Sequence, residues 1–122
     1  MDEGKSRILL VDDSRTELQI LNEALTSDRR SIFSCTTKAD AISIPPEMFT
    51  AVVIDVLLPD AMSSESTLAI VHHFGAAKCV VHTAVSPKME IIREIAKHCR
   101  VVHKNADLTE ICQAVEEIEN AS

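Results

Sequence analysis

Short apolar runs alternate along the chain with segments whose apolar residues recur at helical spacing. The runs cover residues 7–11, 31–36, 51–56, 79–83 and 100–103. Runs of this length that are rich in β-branched residues are typical of buried strands. The run at 51–56 is apolar on both faces, as a central strand of a parallel sheet requires. We therefore predict five strands.

Helix signals follow each run. Ser14, with Glu17 three residues later, matches a capping box. Gly75 suits the position just past the end of a helix. Ser86 followed by Pro87 predicts a helix with Ser86 at the N-cap and Pro87 at the first helical position. The predicted helices run from the N-cap Ser14 to near Ser27, from Lys38 to before Pro45, over 64–74, from Ser86 to near His98, and from the N-cap Asp107 through Ile118.

This strict alternation of strands and helices predicts an α/β fold. We expect one doubly wound (βα)5 domain over residues 1–122, with a parallel five-stranded sheet in the order 2-1-3-4-5. Whether the chain is a stand-alone protein or part of a longer one stays open. In such a sheet, ligands bind beyond the carboxyl ends of the strands, where the strand order reverses.

Composition narrows the function classes. The 122 residues carry a formal net charge of −7, which argues against a nucleic acid or an anionic membrane as the main partner. The apolar runs are far shorter than the roughly 20 residues that span a bilayer, and the first residues lack a signal-peptide pattern. We therefore expect a cytoplasmic protein. Its four cysteines form no C-x-x-C motif and are expected to be buried thiols.

Polar side chains stand at the ends of four predicted strands. Asp12 and Asp13 follow the first strand, Asp55 lies near the end of the third, Thr83 ends the fourth, and Lys104 follows the fifth. Two carboxylates about 4 Å apart repel by about 4 kcal/mol at an effective dielectric constant of 20. A cluster of the three acids therefore needs a counter-charge. Mg²⁺ suits such oxygen ligands, and Lys104 adds a second positive charge.

The same set suggests phosphoryl transfer, which depends on positioning and charge neutralisation more than on acid–base chemistry. Asp55 is the expected nucleophile. Asp12 and Asp13 are expected to hold the metal with the backbone carbonyl of Leu57. Thr83 and Lys104 are expected to bind the phosphoryl oxygens.

In its order of motifs the chain resembles the receiver domains of bacterial two-component response regulators. The matching segments are ILLVDDS at 8–14, VVIDVLLPD at 52–60, VVHTA at 80–84 and VVHK at 101–104. The resemblance implies a flavodoxin-like fold, a Mg²⁺-dependent aspartyl phosphate at Asp55, and a histidine kinase or histidine phosphotransfer protein as the donor. It also implies that phosphorylation draws Thr83 inward and remodels the surface of the fourth helix, fifth strand and fifth helix, where such domains often form homodimers.

Several positions depart from the family pattern. Val101 stands where the family usually has an aromatic switch residue, so the partner of Thr83 in the switch lacks a ring. Asn105 replaces the proline that follows the lysine, which predicts a trans bond with a shifted loop or a strained cis bond. Ser63 replaces a common glycine. Leu57 and Val85 are apolar at positions where a polar residue could orient water, so we predict slow self-dephosphorylation.

Three alternatives stay open at this point. The chain could be a degenerate receiver, which acts as an interaction module without phosphorylation. A nucleotide- or flavin-binding enzyme is disfavoured, because two glycines cannot form a phosphate-binding loop. A transition-metal site lacks paired ligand spacing among the candidates His72, His73, His82, His98, Cys99 and His103, which we instead expect to be surface histidines and a core cysteine. A receiver is a phosphoacceptor that catalyses its own phosphorylation and dephosphorylation, so calling it an enzyme is a matter of definition, and we do not class it as one.

Overall fold

The computed structural model describes residues 5–104 and 107–122. Within them, five strands form one parallel sheet in the order β2-β1-β3-β4-β5, as the sequence predicts. The strands are β1 (Ser6–Val11), β2 (Arg30–Cys35), β3 (Ala51–Ile54), β4 (Cys79–Thr83) and β5 (Arg100–His103). The doubly wound α/β prediction is therefore confirmed.

Helices connect the strands and cover both faces of the sheet. They are α1 (Arg15–Leu25), α2 (Lys38–Ile42), α3 (Ser64–Phe74), α4 (Glu90–Ala96) and α5 (Leu108–Ala121). The buried residues of α1 and α5 pack on one face, and those of α2, α3 and α4 pack on the other. None of the helices in the described residues is long and apolar enough to span a bilayer.

The predicted caps are present at three helices. The Ser14 hydroxyl accepts the Glu17 N–H at 3.3 Å, and the Asp107 carboxylate accepts the Thr109 N–H at 2.9 Å. Gly75 follows α3 with a φ of 102°, a conformation that residues with a β-carbon rarely adopt. These local signals therefore fix where α1, α3 and α5 begin or end.

The predicted start of α4 is wrong. The helix begins at Glu90, with Met89 at the N-cap position. The Ser86 carbonyl accepts the Met89 N–H at 3.0 Å, and the Ser86 hydroxyl accepts the Lys88 N–H at 3.2 Å. Ser86 thus opens a separate turn before the helix, and its hydroxyl accepts a local backbone N–H there as it would at a helix N-cap.

Strand register decides which residues meet at the carboxyl edge of the sheet. Val11 of β1 lies opposite Ile54 of β3, and Thr83 of β4 lies opposite His103 of β5. All four residues of β3 are buried, which makes it the central strand that the sequence predicts. The residues that directly follow β1, β3 and β5 therefore emerge at the same edge of the sheet, those after β1 and β3 on neighbouring strands.

Candidate functional site

Three acids converge where β1 and β3 end. The Asp55 N–H donates to the Val11 carbonyl at 2.8 Å, so β3 delivers Asp55 beside the residue that follows β1. One carboxylate oxygen from each of Asp12, Asp13 and Asp55 lies within 4.8 Å of the other two. Parallel pairing of neighbouring strands thus produces the cluster.

Asp12 is the most deeply buried member of the cluster. It is 2% exposed. Its Oδ1 accepts the Ser14 N–H at 2.9 Å, and its Oδ2 accepts a hydrogen bond from Lys104 Nζ at 3.0 Å. Both carboxylate oxygens are therefore held in place, and the acid is oriented before any ligand binds.

Lys104 brings the one cation that contacts these acids among the described residues. Its backbone N–H donates to the Thr83 carbonyl at 2.7 Å, which fixes it at the end of β5. Its Nζ lies 3.5 Å from Asp55 Oδ2 and 3.8 Å from Glu17 Oε2, in addition to its bond with Asp12. Burial lowers the pKa of Lys104, but the hydrogen bond to Asp12 and the nearby carboxylates outweigh it and raise that pKa above its ordinary value. The lysine is therefore charged at neutral pH.

Asp55 has a strongly perturbed pKa. Burial raises the pKa of Asp55 to about 7, the charge of Asp12 adds to the rise, and Lys104 opposes it. Burial disfavours the ionised form of this carboxylate, and additional positive charge nearby would stabilise it. The site therefore favours a ligand cation next to Asp55.

The donor set suits Mg²⁺. The converging atoms are all carboxylate oxygens, and hard divalent cations prefer such ligands with some waters retained. Leu57, whose carbonyl is predicted to complete the set, has a φ of 62° and a side chain exposed to solvent. Its role as a ligand stays a prediction.

Thr83 and Val101, the predicted switch pair, lie at the end of β4 and within β5. Thr83 is fully buried, and its hydroxyl accepts the Val85 N–H at 3.1 Å. Half-buried Val101 lines a groove of about 340 Å³ between α4 and α5. The switch role of both residues stays a prediction, as does the binding of phosphoryl oxygens by Thr83. The Lys104–Asn105 bond lies outside the described residues.

Two carboxylates to which the sequence analysis gave no role in the site make tertiary contacts, one with Lys104 and one with the start of α2. Glu17 reaches Lys104 from the first turn of α1, although the capping motif suggested only a local role. Asp60, in the loop after β3, accepts the N–H groups of Lys38 and Ala39 at 2.7 and 3.0 Å. These bonds lower the pKa of Asp60, and they tie the loop to the start of α2. Asp60 ends the matched segment 52–60, which gave a signal for it, but nothing local indicated Glu17.

Within residues 5–104 and 107–122, no histidine belongs to a converging group of three or more possible metal ligands. Among the described residues, the one group of three or more His, Cys, Asp or Glu side chains whose ligand atoms converge is the aspartate cluster. We expected surface histidines, but His82 in β4 is buried. Its pKa falls to about 4, mainly because of burial and then because of the Lys104 charge. His82 is therefore neutral at physiological pH.

No protein-family model and no curated protein matches the chain. Solved structures do match it. A two-component response regulator of the LuxR family from Aurantimonas sp. SI85-9A1 has a TM-score of 0.78 at 23% identity, over 96% of this chain and 86% of that chain. The BeF3-activated DrrB receiver domain has a TM-score of 0.74 at 23% identity, over 95% of this chain and 98% of that chain.

A third similar structure bears on the cluster. The receiver domain of a sensor histidine kinase from Pseudomonas aeruginosa PAO1 has a TM-score of 0.76 at 14% identity, over 95% of this chain and 98% of that chain. It was solved with a magnesium ion coordinated in its active-site cleft. The chain thus has the flavodoxin-like fold of response regulator receiver domains, and its three clustered acids lie at the carboxyl edge of the sheet.

Proposed function

We propose that the chain is a phosphoacceptor receiver domain of a two-component phosphorelay. One observation carries the proposal: Lys104 Nζ lies 3.0 Å from Asp12 and 3.5 Å from Asp55, inside a cluster of acids that can hold a cation. In this proposal, Asp55 takes a phosphoryl group from a histidine kinase or a histidine phosphotransfer protein. The domain then signals through protein–protein contacts.

The transfer forms one bond and breaks one bond. An Asp55 carboxylate oxygen attacks phosphorus, an acyl phosphate forms, and the P–N bond of the donor phosphohistidine breaks. The electron pair of that bond stays on the imidazole nitrogen. Mg²⁺, held by Asp12, Asp13 and Asp55, would neutralise the charge of the phosphoryl oxygens. Calling the domain a phosphoacceptor rather than an enzyme follows from the product, which is the modified domain itself.

Lys104 and Thr83 would each bind a phosphoryl oxygen in this mechanism. Lys104 is charged and close to Asp55, so it would pair with a phosphoryl oxygen once Asp55 is modified. The Thr83 hydroxyl would leave the Val85 N–H to do the same. Asp55 must be ionised to attack, and with its pKa raised to about 7 it depends on added positive charge to stay so at neutral pH.

Intact mass spectrometry tests the proposal. The protein is incubated with acetyl phosphate and Mg²⁺, and we expect the mass to increase by one phosphoryl group. Asp55→Asn is expected to keep its mass, because the amide cannot form the acyl phosphate. Asp40→Asn, at an exposed acid in α2, is the matched control and is expected to behave like the wild type. An unchanged wild-type mass would contradict phosphorylation.

A degenerate receiver is the second candidate. The observation in its favour is Val101 in the groove between α4 and α5, where an aliphatic side chain takes the place of the aromatic switch residue of the family that the chain resembles. Such a module would bind its partner, or a second copy through α4, β5 and α5, without any phosphoryl group. The same mass measurement separates the two functions, since a degenerate receiver would take up no phosphoryl group at Asp55.

A further inference from the structure

Glu17 is diverted from the capping box that the sequence suggests. In a complete capping box, the carboxylate at this position returns to the backbone N–H of the N-cap residue. Here the Ser14 N–H donates to Asp12 Oδ1 at 2.9 Å instead. Only the other half of the motif forms, through the Glu17 N–H and the Ser14 hydroxyl. The Glu17 carboxylate is thereby released to face Lys104.

Lys104 is shared among three carboxylates at different distances. Its Nζ is hydrogen-bonded to Asp12 at 3.0 Å, while its contacts with Asp55 at 3.5 Å and Glu17 at 3.8 Å are looser ion pairs. The Asp12 and Asp55 side chains are 3% and 15% exposed, whereas that of Glu17 is 33% exposed. Glu17 is therefore the most exposed of the three carboxylates that contact the ammonium group.

A divalent cation and the ammonium group compete for the same two carboxylates. Asp12 and Asp55 belong both to the converging oxygen cluster and to the surroundings of Lys104. Two cations so close repel each other strongly in a partly buried site. When the metal enters, the ammonium group must move toward another anion, and Glu17 is already at 3.8 Å.

We propose that Glu17 is a positioning residue that receives the Lys104 ammonium group when a divalent cation binds Asp12, Asp13 and Asp55. Glu17 thereby lowers the repulsion between the two cations and keeps Lys104 near the site, where a phosphoryl oxygen can recruit it. This inference rests on the proposed function, since it assumes that the acids bind Mg²⁺. It assigns Glu17 no contact with the metal.

A double-mutant cycle tests this role through Mg²⁺ affinity, measured by titration calorimetry on the full metal-free chain. We expect Glu17→Gln to weaken Mg²⁺ binding by about tenfold when Lys104 is present, as suits one partly exposed ion pair. In the Lys104→Met background, the same substitution is expected to change the affinity by less than about twofold. Glu23→Gln, on the exposed surface of the same helix, is the charge-matched control and is expected to match the wild type.

The possible outcomes distinguish a failure of the positioning role of Glu17 from a failure of the proposed phosphoacceptor function. If Glu17→Gln weakens Mg²⁺ binding equally in both backgrounds, the residue acts on the metal directly and the positioning role is wrong. If it behaves like Glu23→Gln, the role is also wrong, while phosphorylation of Asp55 is unaffected by that result. A wild-type protein that binds no Mg²⁺ and gains no phosphoryl mass would overturn the proposed function itself. Unfolding curves confirm that each variant is folded.

Discussion

The two ends of the sheet each hold partly buried charges, and they differ in how those charges balance. At the amino end, Glu119 of α5 pairs with Arg30 of β2 at 2.5 and 2.9 Å and accepts the hydroxyl of Ser6. There one anion meets one cation. At the carboxyl end, Lys104 and the acids around it leave an excess of negative charge.

The pKa shifts at the two ends run in opposite directions. The hydrogen bond from Arg30 lowers the pKa of Glu119, whereas burial raises the pKa of Asp55 to about 7. Ionisation thus stabilises the fold at the amino end and opposes it at the carboxyl end. The charges of Arg30 and Glu119 neutralise each other at the amino end. At the carboxyl end, a bound cation would neutralise the excess negative charge. The following predictions test this contrast, from the largest expected effect to the smallest.

Removing Lys104 is expected to have the largest effect on stability. We predict that Lys104→Met lowers the free energy of unfolding by about 3 kcal/mol at pH 8 without divalent cations, because Asp12 stays buried without its counter-charge. Mg²⁺ should recover most of this loss. Urea unfolding with and without Mg²⁺ measures both effects. Lys97→Met, which removes an exposed ion pair with Glu94, is the control and should cost less than about 0.5 kcal/mol.

Asp55→Asn should stabilise the metal-free protein by about 2 kcal/mol at pH 8, since the raised pKa marks an unfavourable ionised state. The folded state of the wild type holds a proton on Asp55 up to about pH 7, but the unfolded state loses it near the ordinary value of 3.8. Wild-type stability should therefore fall as the pH rises from about 4 to about 7. The variant should lack this component in urea unfolding across that range. A wild type and a variant with parallel pH profiles would contradict the charge imbalance.

The amino end should respond in the opposite way. Glu119→Gln is expected to lower the free energy of unfolding by about 1 kcal/mol at pH 7, because a partly exposed pair with Arg30 is lost. Since the folded pKa of Glu119 is lowered, this contribution is present above the ordinary value of 4.5 and disappears as the pH falls through the lowered value. Mg²⁺ should leave the variant's deficit unchanged in the same unfolding assay. A deficit that depends on Mg²⁺ would remove the distinction between the two ends.

The smallest predicted effect concerns the lifetime of the phosphoryl group. The wild type should lose it slowly, because Leu57 and Val85 offer no polar group that orients water. Leu57→Asn should speed the loss by about threefold, and asparagine tolerates the positive φ at this position. Phosphoprotein mass followed over time gives the rate, with Glu119→Gln as the control that keeps the wild-type lifetime. A wild-type lifetime of seconds would contradict the screening role of these side chains.

The fold and the aspartate cluster are predictable because each depends on strong, regular signals. The apolar run of β3 identifies a buried central strand, and parallel pairing then brings Asp12 and Asp55 together. The start of α4 is less predictable, since the Ser-Pro pair at 86–87 suits both a helix start and a turn. A serine hydroxyl can accept a backbone N–H both at a helix N-cap and in a turn, so its presence does not tell the two apart.

The position of Glu17 beside Lys104 could not be predicted for a different reason. Its local motif has a sufficient explanation in helix capping, and its contact depends on the orientation of α1 relative to β5. The expectation of surface histidines is likewise wrong for His82, because β4 lies inside the sheet and helices cover both of its faces, so even a polar residue of this strand is buried. Both features depend on how the helices pack against the sheet, which local sequence patterns do not reveal.

Two backbone N–H groups at the start of α2 donate hydrogen bonds to Asp60, so their amide signals can report changes in the loop after β3. The Lys38 and Ala39 N–H groups sense the loop that carries the chain away from Asp55. A rearrangement of that loop on cation or phosphoryl binding would change their NMR shifts and hydrogen-exchange rates. The amide resonances of Lys38 and Ala39 would then report whether the aspartate cluster is occupied, without any probe attached to the protein.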